Sequence, residues 1–326
     1  MAKTAVAQSP RSAAARIPSA AAPSCDWEPS SSQLADEQLP RVGAAGVAAP
    51  EPASLPDDLV QLLRSLVRPL RDETLSVEAR AARCVAGLER MLALGTEAEM
   101  RAACVALEAA ALTDDGMLTA CHAATRPDVS ARSAAAFASE AVLPRLRGLS
   151  APASRTLFAA LLALLAQHPR AVVDRLVLPL MWGGGAAEEA AAGGTLTASQ
   201  SEVLSRLLKE LPLPLLSQLL DDFLAGEGGD PTPWTEPQAQ LLQVVLARKP
   251  ALEPASVSAL VLQADANLDG LRASPKFANL VFTLVKSHGA ALRPHLPAMR
   301  RLSERLVGLL RKTTLAALTK LEAAPS

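Results

Sequence analysis

Large apolar residues recur along most of this chain at intervals of three and four positions. The first two such sets are Leu59, Leu62, Leu63, Leu66 and Val67, and Cys84, Val85, Leu88, Met91 and Leu92. Residues with this spacing share one face of an α-helix, whereas a half-buried strand alternates at every second position. The pattern therefore predicts one amphipathic helix after another, and no stretch of it favours a strand.

The same spacing, together with the prolines that precede several apolar runs, predicts where the later helices lie. Helices are expected around 104–112, 137–149, 157–165, 169–180, 202–211, 214–225, 236–248, 254–264, 275–288 and 298–321. Pro152, Pro169, Pro254 and Pro275 each stand just before an apolar run. Proline is tolerated in the first turn because the amide hydrogen it lacks would have no partner there. Ser274, directly before Pro275, is a good N-cap residue.

Composition divides the chain into a tail and a helical domain. Residues 1–54 are rich in Pro, Ala, Ser and Gly and hold few large apolar groups, so we predict a disordered low-complexity tail. An alternative for its first 25 residues is an organellar transit peptide, since they carry Lys3, Arg11 and Arg16 and no acid. Residues 55–326 are predicted to form the helical-repeat domain, with glycine-rich loops at 183–201 and 226–233.

Helices that are each apolar on one broad face must stack on neighbours to bury it. A bundle or a helical solenoid does this with short connections. A dozen or so helices are too many for one bundle, so we predict an all-α, HEAT-like solenoid. No strict sequence period accompanies the pattern.

Charge is distributed unevenly along the chain. The last 56 residues carry ten Lys and Arg against two acids, whereas the first 270 carry 22 against 31. Such asymmetry indicates which surface meets a partner more than the total charge does. The sequence therefore favours an interaction protein with a docking surface near its C-terminus.

The cysteines and the hydropathy of the chain indicate the kind of cellular compartment in which the protein resides. Cys25, Cys84, Cys104 and Cys121 form no CxxC pair, which is typical of free thiols in a reducing compartment. No uncharged apolar run is long enough to cross a bilayer, so we expect no membrane association.

Candidate chemistry along the sequence is weak. Cys121–His122 has no second Cys/His pair to complete a zinc site. The adjacent acids Asp221–Asp222 and Glu188–Glu189 do not face each other on a helix. Gly183–Gly185 lacks the Gly-Lys-Ser/Thr of a phosphate-binding loop. We therefore expect no enzyme, no metal and no cofactor. The remaining histidines are interpreted as helix-end groups: His168, His288 and His295.

The predicted helix at 298–321 is the better functional candidate. At about 100° per residue, the residues expected to pack inward are Leu302, Leu306, Leu309, Leu310 and Ala316. Those expected on the other side are Arg300, Arg301, Arg305, Arg311 and Lys312. Leu315 and Leu318 fall beside Arg311, so leucines on a basic face favour a protein groove with acidic walls. Two alternatives are plain packing under another helix and a helix break at Thr313–Thr314.

Two stretches resemble the C-terminal helical-repeat domain of the Fanconi anaemia group E family. The stronger one is SPKFANLVFTLVKSHGAALRPHLPAMRRLSERLVGLLRKTTLAALTKLE, residues 274–322, whose last helix is similar to the family's closing run. This chain has Leu309 where the animal members carry an aromatic residue. The second is VSARSAAAFASEAVLPRLRGLSAPASRTLFAALLALLAQHPRAVVDRLVLPLM, residues 129–181. The likeness extends over about 97–322, and 55–96 match less well.

The resemblance implies a nuclear, non-catalytic adaptor of the Fanconi core complex. That complex is the ubiquitin ligase for a substrate pair at DNA interstrand crosslinks. The implied partners are the group C protein, other core subunits and the monoubiquitinated pair. The implied partner-binding residues are Leu309, Leu310, Arg311, Lys312, Leu315 and Leu318. The alternatives are a generic helical-repeat scaffold of another complex and a nucleic-acid-binding helical repeat. Because the basic stretch 298–321 has no aromatic residue for base stacking, we do not expect direct nucleic-acid binding.

Overall fold

The computed structural model describes residues 54–183, 196–226 and 233–323, and within these ranges the chain is helical without a strand. This confirms the predicted all-α class. The predicted tail, apart from residue 54, lies outside the described residues, as does most of the two predicted loops. In the described ranges no helix is both long and apolar enough to span a membrane.

Seventeen α-helical segments are assigned here within the described ranges. They are α1 Asp57–Arg71, α2 Val77–Leu92, α3 Glu97–Ala106, α4 Asp114–Ala124, α5 Ala131–Phe137, α6 Leu143–Arg147, α7 Arg155–Gln167, α8 Pro169–Val172, α9 Leu178–Met181, α10 Ala198–Glu210, α11 Leu213–Ala225, α12 Glu236–Ala247, α13 Pro254–Ala266, α14 Leu268–Leu271, α15 Pro275–His288, α16 Leu296–Arg305 and α17 Leu310–Ala323. Single π-helical turns, Ala138–Val142 and Val173–Val177, join α5 to α6 and α8 to α9.

Hydroxyl side chains start many of these helices by accepting a hydrogen bond from a first-turn amide. The residues that do so are Ser76, Thr96, Thr113, Ser130, Ser154, Thr197, Thr235 and Ser274. Each such cap is worth about 1 kcal/mol. Ser274 is the N-cap predicted from the sequence. Pro152 does not open a helix as expected, because Ser154 caps α7 and the helix begins only at Arg155.

The helices stack in two series, called files here, in which each helix packs against the next. One file runs α2, α4, α7, α10, α12, α15 and α17, and the other runs α1, α3, α5, α8–α9, α11, α13 and α16. Each helix contacts the next member of its own file, so every apolar stripe meets a neighbour and one continuous core of Leu, Ala and Val results. This order of contacts is compatible with the predicted solenoid.

Polar side chains bind the carbonyls that each helix leaves unpaired at its C-terminal end. Thr113 donates to the Leu70 carbonyl at the end of α1, and Gln238 donates to that of Met181 at the end of α9, over 3.0 and 2.7 Å. Further donors of this kind are His168 to Ala124, Gln200 to Arg147, Arg248 to Lys209, Gln263 to Leu224 and His288 to Leu246. Successive helices are thus joined by polar contacts as well as by the core.

Several predicted helix boundaries are wrong. The helix expected at 104–112 is α3, Glu97–Ala106, and the one expected at 137–149 already begins at Ala131. The helix expected at 202–211 begins at Ala198, because Thr197 and Gln200 form a reciprocal capping box. The helix expected at 298–321 is two helices, α16 and α17, separated by residues 306–309. The alternative break at Thr313–Thr314 is also wrong, since both residues lie inside α17.

Candidate functional site: an exposed connector and a basic terminal helix

The connector between α16 and α17 is held at one end and open at the other. Leu306 is buried, and the Val307 amide donates to the Arg272 carbonyl over 2.9 Å. Gly308 follows with φ +114°, a value that side-chain-bearing residues rarely adopt. The backbone therefore turns sharply, and Leu309 projects away from the core.

This turn exposes two large apolar side chains that are two positions apart in the chain. Val307 is 59 % exposed and Leu309 is 94 % exposed. The prediction that Leu309 packs inward is wrong, because it assumed an unbroken helix and the turn at Gly308 removes Leu309 from that register. Val307 was missed by sequence reasoning for the same reason. We call Val307 and Leu309 the apolar knuckle.

The other predicted site residues divide between core and surface. Leu318 is fully buried, so it belongs to the core that α17 shares with its neighbours and is not available to a partner here. Leu310 and Leu315 are half-buried, whereas Arg311 and Lys312 are exposed at the first turn of α17. The structure thus brings Leu309, Arg311 and Lys312 to the surface and separates them from Leu318.

The inward face of α17 also differs from the prediction. Ala316 is exposed and does not pack inward as expected, and Thr314 occupies the core together with Leu318. Thr314 is tolerated there because its hydroxyl donates to the Leu310 carbonyl over 2.8 Å. Residues 314 and 318 are one helical turn apart and define the packed stripe. The connector determines which residues of α17 face the core, and the apolar pattern of the sequence alone did not reveal this.

Two arginines hold this terminal region together. Arg300 of α16 binds both carboxylate oxygens of Glu322 in α17, with nitrogen–oxygen distances of 3.2 and 2.6 Å. Such two-point geometry fixes orientation as well as distance. Arg305, at the end of α16, pairs with Asp269 of α14. Each of these ion pairs neutralises one acidic side chain near the C-terminal helices, Glu322 or Asp269.

Other cations in this region remain unneutralised. Arg301, Arg311, Lys312 and Lys320 are exposed and make no ion pair with any residue in the described ranges. Unpaired cations beside an exposed apolar group attract an acidic partner and steer its approach. We take the apolar knuckle together with Arg311 and Lys312 as the candidate site.

The cysteines and histidines that the sequence offered as candidate chemistry have structural surroundings. Burial raises the pKa of the Cys104 thiol to about 12 and also raises that of the Cys121 thiol, so neither is a ready nucleophile. The Nε2 atom of His168 lies 3.0 Å from the Ala124 carbonyl oxygen. Burial lowers the pKa of His168 and of His288, and each histidine binds the end of a neighbouring helix, close to the predicted helix-end role.

Of the two adjacent acid pairs, Asp221–Asp222 lies within the described residues. Asp222 binds Arg170, which also binds Asp174, and Glu188–Glu189 lie outside the described residues. No group of His, Cys, Asp or Glu able to hold a metal ion occurs among the residues that the structure describes.

Comparison with known protein families decides the identity of the chain. Residues 52–322 match the family described as Fanconi Anaemia group E protein FANCE. This chain belongs to the Fanconi anaemia group E family. The match covers the described helical domain, including the 55–96 region where the likeness had been weaker. A search of curated individual proteins gave no match.

Membership of the group E family places the protein in the Fanconi anaemia pathway of DNA repair, as part of a complex. The resemblance drawn from the sequence is confirmed at the level of the family. In this group E protein, the apolar knuckle and its cations form the exposed surface of the last repeat.

Proposed function

We propose that this protein is a non-catalytic adaptor of the Fanconi core ubiquitin-ligase complex in the nucleus. It would bridge the ligase, through the group C protein, to the substrate pair that is monoubiquitinated in interstrand crosslink repair. Its contribution would be to raise the effective concentration of the substrate near the ligase. Family membership supports this role.

The single observation that carries the proposal is the apolar knuckle beside unpaired cations. An apolar side chain as exposed as Leu309 gains about 1.5–3 kcal/mol when a partner buries it fully. Arg311 and Lys312 follow it by two and three positions and would meet carboxylates at the rim of the same contact. We therefore assign the substrate contact to Leu309, Arg311 and Lys312, with Leu310 and Leu315 supporting them from a half-buried position.

Binding of the purified substrate pair to the purified chain tests this assignment. Leu309→Asp removes the apolar contact and should weaken binding by tenfold or more, on the order of 1.4 kcal/mol. Arg311→Glu with Lys312→Glu should slow association and reverse its salt dependence. Both variants should keep the helical circular dichroism and thermal midpoint of the unchanged chain, because none of these side chains is buried.

Matched variants elsewhere serve as controls. Leu262→Asp alters another exposed leucine, 70 % accessible on α13, and Arg132→Glu with Lys209→Glu makes the same charge change away from the site. These should bind as the unchanged chain does. If Leu309→Asp binds normally, the knuckle is not the contact. If instead the chain binds duplex DNA with an affinity that falls steeply with salt, the cations serve nucleic acid.

A further inference from the structure

A second open surface lies near the start of the helical stack, between α1 and α3. Two depressions of about 660 and 340 Å³ adjoin there and share Arg64 and Glu108 in their walls. Together they form one groove that follows α1. Its lining residues are Leu55, Val60, Arg64, Val67, Arg68, Arg71 and Asp72 on the α1 side, and Ala102, Val105, Ala106 and Glu108 on the α3 side.

The α3 wall of the groove is apolar, with an exposed Val105 between half-buried alanines. Val105 is 72 % accessible, and Ala102 and Ala106 lie beside it on the same helix face. Val60 faces this wall from α1 and is half-buried. Contiguous exposed apolar groups rimmed by charge mark interaction sites more often than scattered ones do.

The α1 wall carries three arginines and one acid, Asp72, whose pKa is lowered by hydrogen bonds from Thr74 and in part by the nearby charge of Arg68. Arg64 and Arg68 are exposed, one helical turn apart, and make no ion pair with any residue in the described part of the chain. Arg71, in the next turn, pairs with Glu108 over 2.6 Å. The three arginines outnumber the two acids of the groove, Asp72 and Glu108. Because Arg64 and Arg68 remain open to solvent, the groove favours an acidic occupant.

Glu108 lies where the two depressions adjoin and has an unusual backbone conformation. Its φ is +51°, in the left-handed region where glycine or asparagine normally ends a helix. The side chain of Glu108 binds Arg71 and so links the segment just after α3 to the end of α1. Strained residues of this kind cluster at binding sites.

We propose that the α1–α3 groove binds an amphipathic helix of a partner protein, apolar on one face and acidic beside it. The groove follows α1 from Val60 to Arg71, which at 1.5 Å per residue is about 16 Å, or three helical turns. Leucine-type side chains of the partner pack on Val60 and Val105, and its carboxylates bind Arg64 and Arg68. A small anion accounts for the arginines but leaves Val105 uncovered. This proposal stands apart from the substrate contact at the C-terminus.

A helix-stapled peptide tests the groove directly. The probe has about 15 residues, with leucines spaced three and four apart and glutamates on both flanks of that face. Fluorescence anisotropy with the full chain should show saturable binding that weakens with salt. Val105→Asp, and separately Arg64→Glu with Arg68→Glu, should each weaken binding by about tenfold or more.

Controls separate specific docking from general attraction. Leu262→Asp and the pair Arg132→Glu with Arg155→Glu alter an exposed leucine and two exposed arginines elsewhere, and both should bind the probe normally. A matched peptide with lysine in place of glutamate should not bind. Equal binding of both peptides, or unchanged binding by the groove variants, would overturn the proposal. So would a second copy of the chain as the occupant, seen as a concentration-dependent mass that the groove variants abolish.

Discussion

Replacing Gly308 by alanine isolates the role of the turn that exposes the apolar knuckle. No atom lies within 4 Å of the position that an alanine Cβ would occupy, so the substitution creates no clash. The backbone there has φ +114°, where a Cβ is strained regardless of the available space. Any effect therefore reports on backbone conformation alone.

The expected magnitude of the Gly308→Ala effect combines two opposing contributions. Holding a non-glycine residue in such a region costs about 1–3 kcal/mol. Replacing glycine by alanine also restricts the unfolded chain, which stabilises the fold by about 0.4–1 kcal/mol. The net free energy of unfolding should fall by about 0.5–2 kcal/mol.

Gly270→Ala provides the matched control, since its Cβ would also meet no atom within 4 Å but its backbone is helical. It should stabilise the protein by about 0.5–1 kcal/mol. Denaturant unfolding measures both variants. Hydrogen exchange of the α17 amides detects a loss confined to the terminal repeat, which can open independently in a stacked protein.

The two substitutions should therefore change stability in opposite directions. If Gly308→Ala leaves unfolding and α17 exchange unchanged, or stabilises the protein as Gly270→Ala does, the left-handed turn is not the device that breaks the terminal helix. The register that places Leu309 on the surface would then need another cause.

Two further predictions concern the joints between successive helices. Gly116→Ala would place a Cβ 2.2 Å from the Leu70 carbonyl oxygen, so the backbones of α1 and α4 must separate. We expect the free energy of unfolding, measured with denaturant, to fall by about 2 kcal/mol or more. Gly95→Ala, whose nearest contact is 4.0 Å away, should be nearly neutral, and equal stability of the two variants would contradict the close approach. For His168, burial lowers the folded-state pKa below the unfolded value, so as pH falls below about 6.5 the unfolded chain takes up the proton first and stability declines until the folded pKa is reached. His168→Gln should reduce the decline between pH 8 and pH 5.5 in urea unfolding, and an unchanged decline would show that His168 does not contribute to it.

The helical class and the positions of most helices followed from the apolar pattern. Spacing of three and four residues, with Ser274 before Pro275, located α15 to the residue. These signals are local, because a cap and the periodicity of a stripe both lie within a few positions of each other. The two-file stacking depends on contacts between distant helices and was predicted only as an architecture.

The candidate site was predicted in part, and its errors have one physical source. The helical projection correctly placed Arg311 and Lys312 on the surface, but it put Leu309 inside and Leu318 outside, and the structure has the reverse. A helical projection assumes constant rotation per residue, and the turn at Gly308 resets it. Val307–Gly308 was the signal available in the sequence, since a glycine inside a helical pattern can mark its end.

The histidines and the buried threonine could be located only with the fold. His168 and His288 bind carbonyls of neighbouring helices that are 44 and 42 positions away in the chain. Local sequence carries no record of such partners. Thr314 likewise satisfies its hydroxyl within its own helix, which makes a polar residue compatible with the core.

The bridging role is tested most directly by capture of both partners with one altered chain. Deleting residues 271–326 would remove α15, whose Phe277 and Leu284 lie in the core, so a surface change is the better perturbation. The chain carrying Arg311→Glu and Lys312→Glu should be incubated with the purified group C protein and the substrate pair, and the bound fractions compared with those of the unchanged chain. The account predicts that the group C protein is retained and the substrate pair is lost. Retention of both partners, or loss of both from a chain that remains folded, would contradict it.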